Sequence, residues 1–292
     1  MRNPLIAFIG TALLLLSACT DGKPEAQSGG PALWRIEKDG QRAFLFGTIH
    51  VLPDDVAWET PVLRDAMAAS DRLVLEASGL DDAEGTQRIF DQLGQSDDLP
   101  PIADRVPAAQ RPALRALLKR GDMDEADASA YESWAAALQL ATVTQSGQRM
   151  SAANGVEPAL TAVFLAEDKP VLGLETVTDQ FVLFDRLPED VQRRLLADAV
   201  AQADAGDADY ARMVRAWLKG DMQAIARDFV NQIAPEPALA GPLLIDRNRK
   251  WAARIPLLPG RPFIAVGAAH LAGPGNLLAL LENDGYSITR IQ

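Results

Sequence analysis

Ala43-Phe44-Leu45-Phe46-Gly47-Thr48-Ile49-His50 and Pro262-Phe263-Ile264-Ala265-Val266-Gly267-Ala268-Ala269-His270 decide the fold. Each is a short apolar run followed at once by Gly-x-x-His. Runs too short for a helix and bounded by turn residues read as buried strands. The glycine lets the backbone turn tightly or approach a ligand closely. A helical pattern and another strand follow in both places. The first helix begins after Pro61, with Val62, Leu63, Ala66 and Met67 on one face, and leads to Arg72-Leu73-Val74-Leu75-Glu76. The second spans Asn276 to Glu282, is ended by Gly285, and leads to Tyr286–Ile291. Strands separated by helices imply an α/β fold. The expected form is a central sheet carrying two strand–GxxH–helix units, with mainly helical insertions between them.

Outward from these units, Trp34-Arg35-Ile36-Glu37, Asp39-Gly40 and Ala43–Phe46 read as a hairpin, because Asp-Gly is a favoured two-residue turn. Residues 81–150 look mainly helical. Pro107 starts one helix with Leu114, Leu117 and Leu118 at core spacing, and Tyr131, Trp134, Leu138 and Ala141 mark another. Val156–Glu167 is an amphipathic helix feeding a strand, Pro170–Leu174, which ends at Glu175. Residues 176–255 are again mostly helix, broken near Gly206, Gly220 and Pro235–Pro237. Trp134, Trp217 and Trp251 fall within these helical patterns and read as core residues. The acidic stretch Asp122–Asp127 reads as a solvated loop and helix start, since it lacks the order of acids and glycine of a calcium loop.

Scarce residue types limit the chemistry. The chain of 292 residues has one cysteine, Cys19, and two histidines, His50 and His270. One cysteine excludes an intramolecular disulfide framework and a cysteine-rich zinc site. Both histidines stand in the same frame after a strand, at the carboxyl edge of the sheet, where open α/β sheets hold ligands. Two further strands end in acids, Glu76 and Glu175. Imidazole and carboxylate suit a divalent metal such as zinc or manganese. A carboxylate that is not a ligand could serve as general base on a metal-bound water. Arg247 and Asn248 precede a helical run; they read either as a solvated face or as groups that bind a substrate anion or orient an acid. Ser78 and Thr48 are nucleophile candidates beside a histidine, but no G-x-S-x-G elbow supports a serine hydrolase. The 28 Lys and Arg against 40 acids give a net charge of −12, which argues against a broad nucleic-acid partner.

The N-terminus reads as an address. Arg2 precedes the apolar run Leu5–Leu16, and Leu16-Ser17-Ala18-Cys19 resembles the lipobox of bacterial lipoproteins. That assigns residues 1–18 to a signal peptide and Cys19 to lipidation. Residues 19–31 then form a polar tether rich in Gly, Pro and Ser, and 32–292 the folded domain. Thr20, in place of an aspartate after the cysteine, points to the outer membrane, with the domain facing the periplasm.

Taken together, the motifs resemble the TraB/PrgY/GumN family. The matching segments are Leu33–Ile36, Leu45–Pro53, Leu73–Glu76, Lys169–Thr176 with its Gly173-Leu174-Glu175, Arg247-Asn248, and Val266–Gly273 followed by Gly285-Tyr286. The resemblance implies two related halves akin to the Tiki metalloproteases, and more distantly to erythromycin esterase (EreA) and ChaN-like proteins. It implies His50, His270 and Glu76 as metal ligands or catalytic groups, Glu175 as a second carboxylate, and a divalent metal such as manganese, cobalt or zinc. Where the family often has aspartate in a G-x-D segment, this chain has Gly155-Val156-Glu157, which makes Glu157 a marginal member of the site. The implied activity is metal-dependent hydrolysis of a peptide or protein substrate. Two alternatives are peptide sequestration without cleavage, as in PrgY-like proteins, and metal-independent ester hydrolysis.

Overall fold

The computed structural model describes residues 29–53, 56–79, 82–147, 150–151, 154–205, 208–230 and 236–292. Residues 1–28, on which the signal-peptide reading, the Cys19 lipidation reading and most of the tether reading fall, lie outside the described residues. Of residues 29–31, Gly30 and Pro31 are buried, and the Pro31 carbonyl accepts from the side chain of Gln292.

Among the described residues eight strands form: β1 Leu33–Lys38, β2 Gln41–Thr48, β3 Leu52–Pro53, β4 Arg72–Ser78, β5 Met150–Ser151, β6 Val171–Thr176, β7 Pro262–Gly267 and β8 Ser287–Arg290. Six of them make one sheet in the order β6-β4-β7-β2-β1-β8; β3 and β5 pair separately. The β1–β2 hairpin is antiparallel and turns at Asp39 and Gly40, both at positive φ, as the Asp-Gly signal requires. β2, β7, β4 and β6 run parallel. The last of them in sequence, β7, inserts between β2 and β4, so the connections after β2 and after β7 leave in opposite directions. Ligand crevices of open α/β sheets form at such a reversal.

The sheet is covered on both faces, as a mostly parallel sheet must be. Alternate residues of β7 show it: Phe263 and Ala265 join one apolar cluster, Ile264 and Val266 the other. The larger cluster packs Phe46, Leu73 and Leu75 against the helical insertions, with Phe90, Trp134, Phe164, Phe181 and Trp217 at its centre. The smaller packs Leu45, Val74 and Leu174 against Trp251 of the Asp246–Arg254 helix and Leu277 and Leu281 of the Leu277–Asn283 helix. Both strand–GxxH–helix–strand units form, with helices Pro61–Ala69 and Leu277–Asn283 after the motifs.

Three local expectations differ. Pro107 opens a 3-10 turn at Ala108–Gln110, and the helix proper begins at Arg111. Tyr131 lies ahead of its helix and bridges to Gln95. β4 runs past Glu76 to Ser78, because Ala77 and Ser78 still pair with Glu175 and Thr176 of β6.

Candidate functional site

β4 and β7 pair only as far as Val74 and Ile264, then part. In the gap the carboxylate of Glu76 replaces the missing strand partner: its Oε1 accepts the Gly267 N–H at 2.6 Å. A Cβ on Gly267 would lie 3.0 Å from Glu76 Oε1, 3.7 Å from His50 Nε2 and 3.7 Å from His270 Cδ2. Glycine at the strand end therefore leaves a space onto which both histidines and Glu76 converge. Glu175 reaches the same region from β6, which a capping box of Thr176 and Asp179 ends one residue later.

Arg247 ties these groups together. Its Nη2 donates to Glu76 Oε2 at 2.6 Å and to Glu175 Oε1 at 2.5 Å, and its Nε donates to Glu175 Oε1 at 3.0 Å. Its Nη1 lies 3.1 Å from His270 Nε2, and its guanidinium stacks over Trp251 with 4.5 Å to the ring centroid. All three charged side chains are nearly closed to solvent, Arg247 being 4% exposed, Glu76 7% and Glu175 10%. A guanidinium in such a place must be paired, and here its N–H fork meets two carboxylates.

The two histidines are held differently. His270 sits in a 3-10 turn, Ala268–Leu271, and is buried. Its Nδ1 lies 2.7 Å from Asn248 Oδ1, while Asn248 Nδ2 donates to the Gly275 carbonyl. With Arg247 donating to Nε2, the ring is neutral and carries its proton on Nδ1. Burial, with the Arg247 cation and despite Glu76, pushes the His270 pKa down to about 3. His50 is more open, at 19% exposure, and its Nδ1 lies 2.8 Å from Glu157 Oε1. Burial opposes its cation, but the Glu157 carboxylate and then Glu76 outweigh that and push its pKa up to about 9. Glu157 also accepts from the buried Thr48 hydroxyl at 2.5 Å. Among the described residues, no hydrogen bond occupies His50 Nε2, the atom that faces Gly267.

The carboxylates divide as well. Burial would raise the pKa of Glu76, yet Arg247 and the histidines lower it to about 2. Burial, with Glu76 beside it, raises that of Glu175 against the pull of Arg247. With His50 charged and His270 neutral, the cluster holds one negative charge in excess.

Among the described residues, no three His, Cys, Asp or Glu side chains are grouped so as to hold a metal ion. The donor types suit a divalent ion. However, Glu76 Oε2, Glu175 Oε1 and His270 Nε2 all face the Arg247 guanidinium, which already supplies the cation. As arranged, the residues do not fit a resident metal. Arg247 and Asn248 are both buried here, Arg247 against Glu76 and Glu175 and Asn248 against His270. Ser78 is exposed and bonded to the Glu175 carbonyl, and Thr48 serves Glu157. Trp251 is core, as its helical spacing suggests, but it is also a stacking surface for Arg247 and lies 4.4 Å from the His270 ring. Gln180, whose Nε2 donates to Glu76 at 3.4 Å, was not legible as a site residue. Its only sequence signal is a polar side chain on the inner face of an otherwise apolar helix turn.

A mostly parallel sheet with paired Gly-x-x-His ends around a buried Arg–Glu cluster defines a class of mixed α/β protein. The chain belongs to the TraB/PrgY/gumN family, whose model matches residues 32–290. It is 26% identical over 249 residues to the uncharacterized protein YbaP of Escherichia coli (strain K12), covering 85% of this chain and 90% of that protein. To the uncharacterized protein YbaP of Shigella flexneri it is 25% identical over 253 residues, covering 86% and 92%. No solved structure matches.

Proposed function

We propose that the protein is a hydrolase that cleaves a peptide bond, with His50 and Glu76 as its catalytic residues. The observation that carries this reading is the free Nε2 of His50, held by Glu157 through Nδ1 and aimed into the space at Gly267 that Glu76 Oε1 borders. A histidine oriented by a carboxylate through Nδ1, with Nε2 facing the reacting group, is the arrangement of general acid–base catalysis.

With its pKa raised to about 9, His50 enters the reaction as an acid. A substrate carbonyl at Gly267 would be polarised by the imidazolium Nε2–H. Water attacks the carbonyl carbon and gives its proton to Glu76 Oε1. The C–N bond breaks, and the leaving nitrogen takes the His50 proton. Transfer of the proton from Glu76 back to His50 through solvent restores the site. Arg247 is a positioning residue: it holds both carboxylates and keeps Glu76 ionised.

The full chain acts as a lipoprotein, anchored through Cys19 at the outer membrane and facing the periplasm. This rests on the lipobox-like Leu16–Cys19. Among the described residues, no helix is long and apolar enough to cross a membrane. Substituting Cys19→Ala should move the protein from the membrane to the soluble fraction.

The activity test is incubation of purified protein with a peptide mixture, followed by mass spectrometry, with and without chelator. Cleavage that survives chelator and falls by about 10²–10⁴ in His50→Ala is expected. Cleavage abolished by chelator and restored by manganese would replace this reading with the metal-dependent one. Intact peptide bound with measurable affinity would replace it with sequestration.

A further inference from the structure

Beside Glu175, between the Val177–Asp185 and Asp246–Arg254 helices, lies a cleft of about 640 Å³. Its wall toward the site is made by Glu175 and Trp251, the two side chains that Arg247 bonds and stacks upon. Val182, Leu187 and Pro242 give it an apolar lining. Three cations also line it, Arg186, Lys250 and Arg254. None of the three closes a hydrogen bond or ion pair among the described residues, whereas Arg193 and Arg194 pair with Glu189 and Asp190 nearby. The acids of the cleft balance them only in part: Glu175 is spent on Arg247, and Asp179, which the Lys250 and Arg254 charges help to keep ionised, sets one negative charge against three positive ones. In a chain of net charge −12, this is a local excess of positive charge.

Trp251 adds an independent sign. It is 1% exposed, and its indole N–H has no hydrogen-bond partner. A buried donor left unpaired is unfavourable, and an acceptor supplied by a ligand would satisfy it. Apolar walls with a few convergent polar groups are the makeup of a ligand site.

We infer that this cleft is a subsite for a carboxylate carried on an apolar segment, either the free C-terminus of a peptide or an acidic side chain within one. The cations attract and hold the carboxylate, the apolar wall takes the neighbouring side chain, and Trp251 links the cleft to Arg247. The inference rests on the proposed hydrolase for the fate of the ligand, not for its binding.

The test uses the full chain with ¹⁵N-labelled tryptophan, the Trp251 indole resonance being assigned with Trp251→Phe. The probes are acetyl-Leu-Leu with a free carboxylate, its C-terminal amide, and acetyl-Leu-Glu amide. At least one carboxylate probe should shift the Trp251 resonance and bind about tenfold or more tightly than acetyl-Leu-Leu amide. Which of the two binds identifies the source of the carboxylate. The double variant Lys250→Gln/Arg254→Gln should lose that advantage, while Arg249→Gln, an exposed cation of the same helix paired with Asp246, should keep it. Equal binding of acid and amide, equal loss in Arg249→Gln, or no shift with any probe overturns the subsite. Binding without cleavage of any peptide would sink the hydrolase and leave the subsite standing.

Discussion

The two Gly-x-x-His segments each follow a parallel strand, with the same spacing and at the same sheet edge, yet one presents a charged histidine and the other a neutral one. Each is clamped by one helix of the insertions. Around His50, Trp217 Nε1 donates to the Gly47 carbonyl at 2.7 Å and the Tyr210 hydroxyl donates to the Val51 carbonyl. These two residues stand seven apart on the Ala208–Leu218 helix and so share a face. They hold the backbone on either side of His50 and leave its ring to Glu157. Around His270, the Asp246–Arg254 helix sends Arg247, Asn248 and Trp251 to the ring itself. One clamp grips the backbone and leaves the ring to pair with Glu157 as an imidazolium; the other grips the ring, which burial and Arg247 keep neutral. The motif places an imidazole, and the groups that meet its ring, Glu157 in one case and Arg247 and Asn248 in a buried setting in the other, set its charge.

The most damaging way to break this difference is Arg247→Leu. It removes the cation between Glu76 and Glu175 and the donor that keeps His270 neutral. Stripping one partner from a buried ion cluster costs about 3–5 kcal/mol. Urea unfolding should show a loss of that size, and Glu76→Gln in the same chain should return part of it by removing one uncompensated charge. An Arg247→Leu chain within about 1 kcal/mol of the parent, the range of a surface pair, would mean that the cluster does not hold the site.

Comparing His270→Ala with His50→Ala sharpens the contrast. The first opens a void against Trp251 and leaves Asn248 Oδ1 unpaired in the core, for about 2–4 kcal/mol. The second leaves Glu157 with the Thr48 hydroxyl, at a more open position where the carboxylate can take up water or a proton, for about 1–2 kcal/mol. Stability should thus fall further in His270→Ala, while cleavage is lost in His50→Ala. Equal losses of stability would show that the two clamps are equivalent.

The sheet was legible because its signals are local. Asp39-Gly40 demands a hairpin turn, and the apolar runs before Gly47 and Gly267 are too short for anything but strands. His50, His270, Glu76 and Glu175 were legible because each ends or follows such a run. What these residues do to one another was not. The role of Arg247 depends on a helix packing over the ends of β4 and β6, across separations of 171 and 72 residues, and no local pattern encodes that. Glu157 was marginal because it stands where the family often has an aspartate, and only the fold sets its carboxylate beside His50. Trp251 fitted its core reading so well that its stacking under Arg247 left no trace in the spacing.

The finest test of the two clamps is a titration of the metal-free chain. Histidine ring resonances should show His50 losing its proton near pH 9 and His270 gaining one only near pH 3. The stability consequences have opposite signs. His50, raised above its ordinary 6.5, stabilises the fold fully below about pH 6.5, and that contribution is lost as the pH rises through about 9. His270, lowered from the same value, stabilises the fold above about pH 6.5, and its contribution is lost as the pH falls toward 3. Glu157→Asp changes only one side of the comparison. The shorter side chain draws the carboxylate back from Nδ1 and from the Thr48 hydroxyl, weakening the interaction that outweighs burial. The His50 midpoint should drop below that of the parent, its alkaline loss of stability should begin at lower pH, and His270, which Glu157 does not touch, should titrate as before. If both histidines moved together, their charges would be set by the shared Arg–Glu cluster and not by separate clamps.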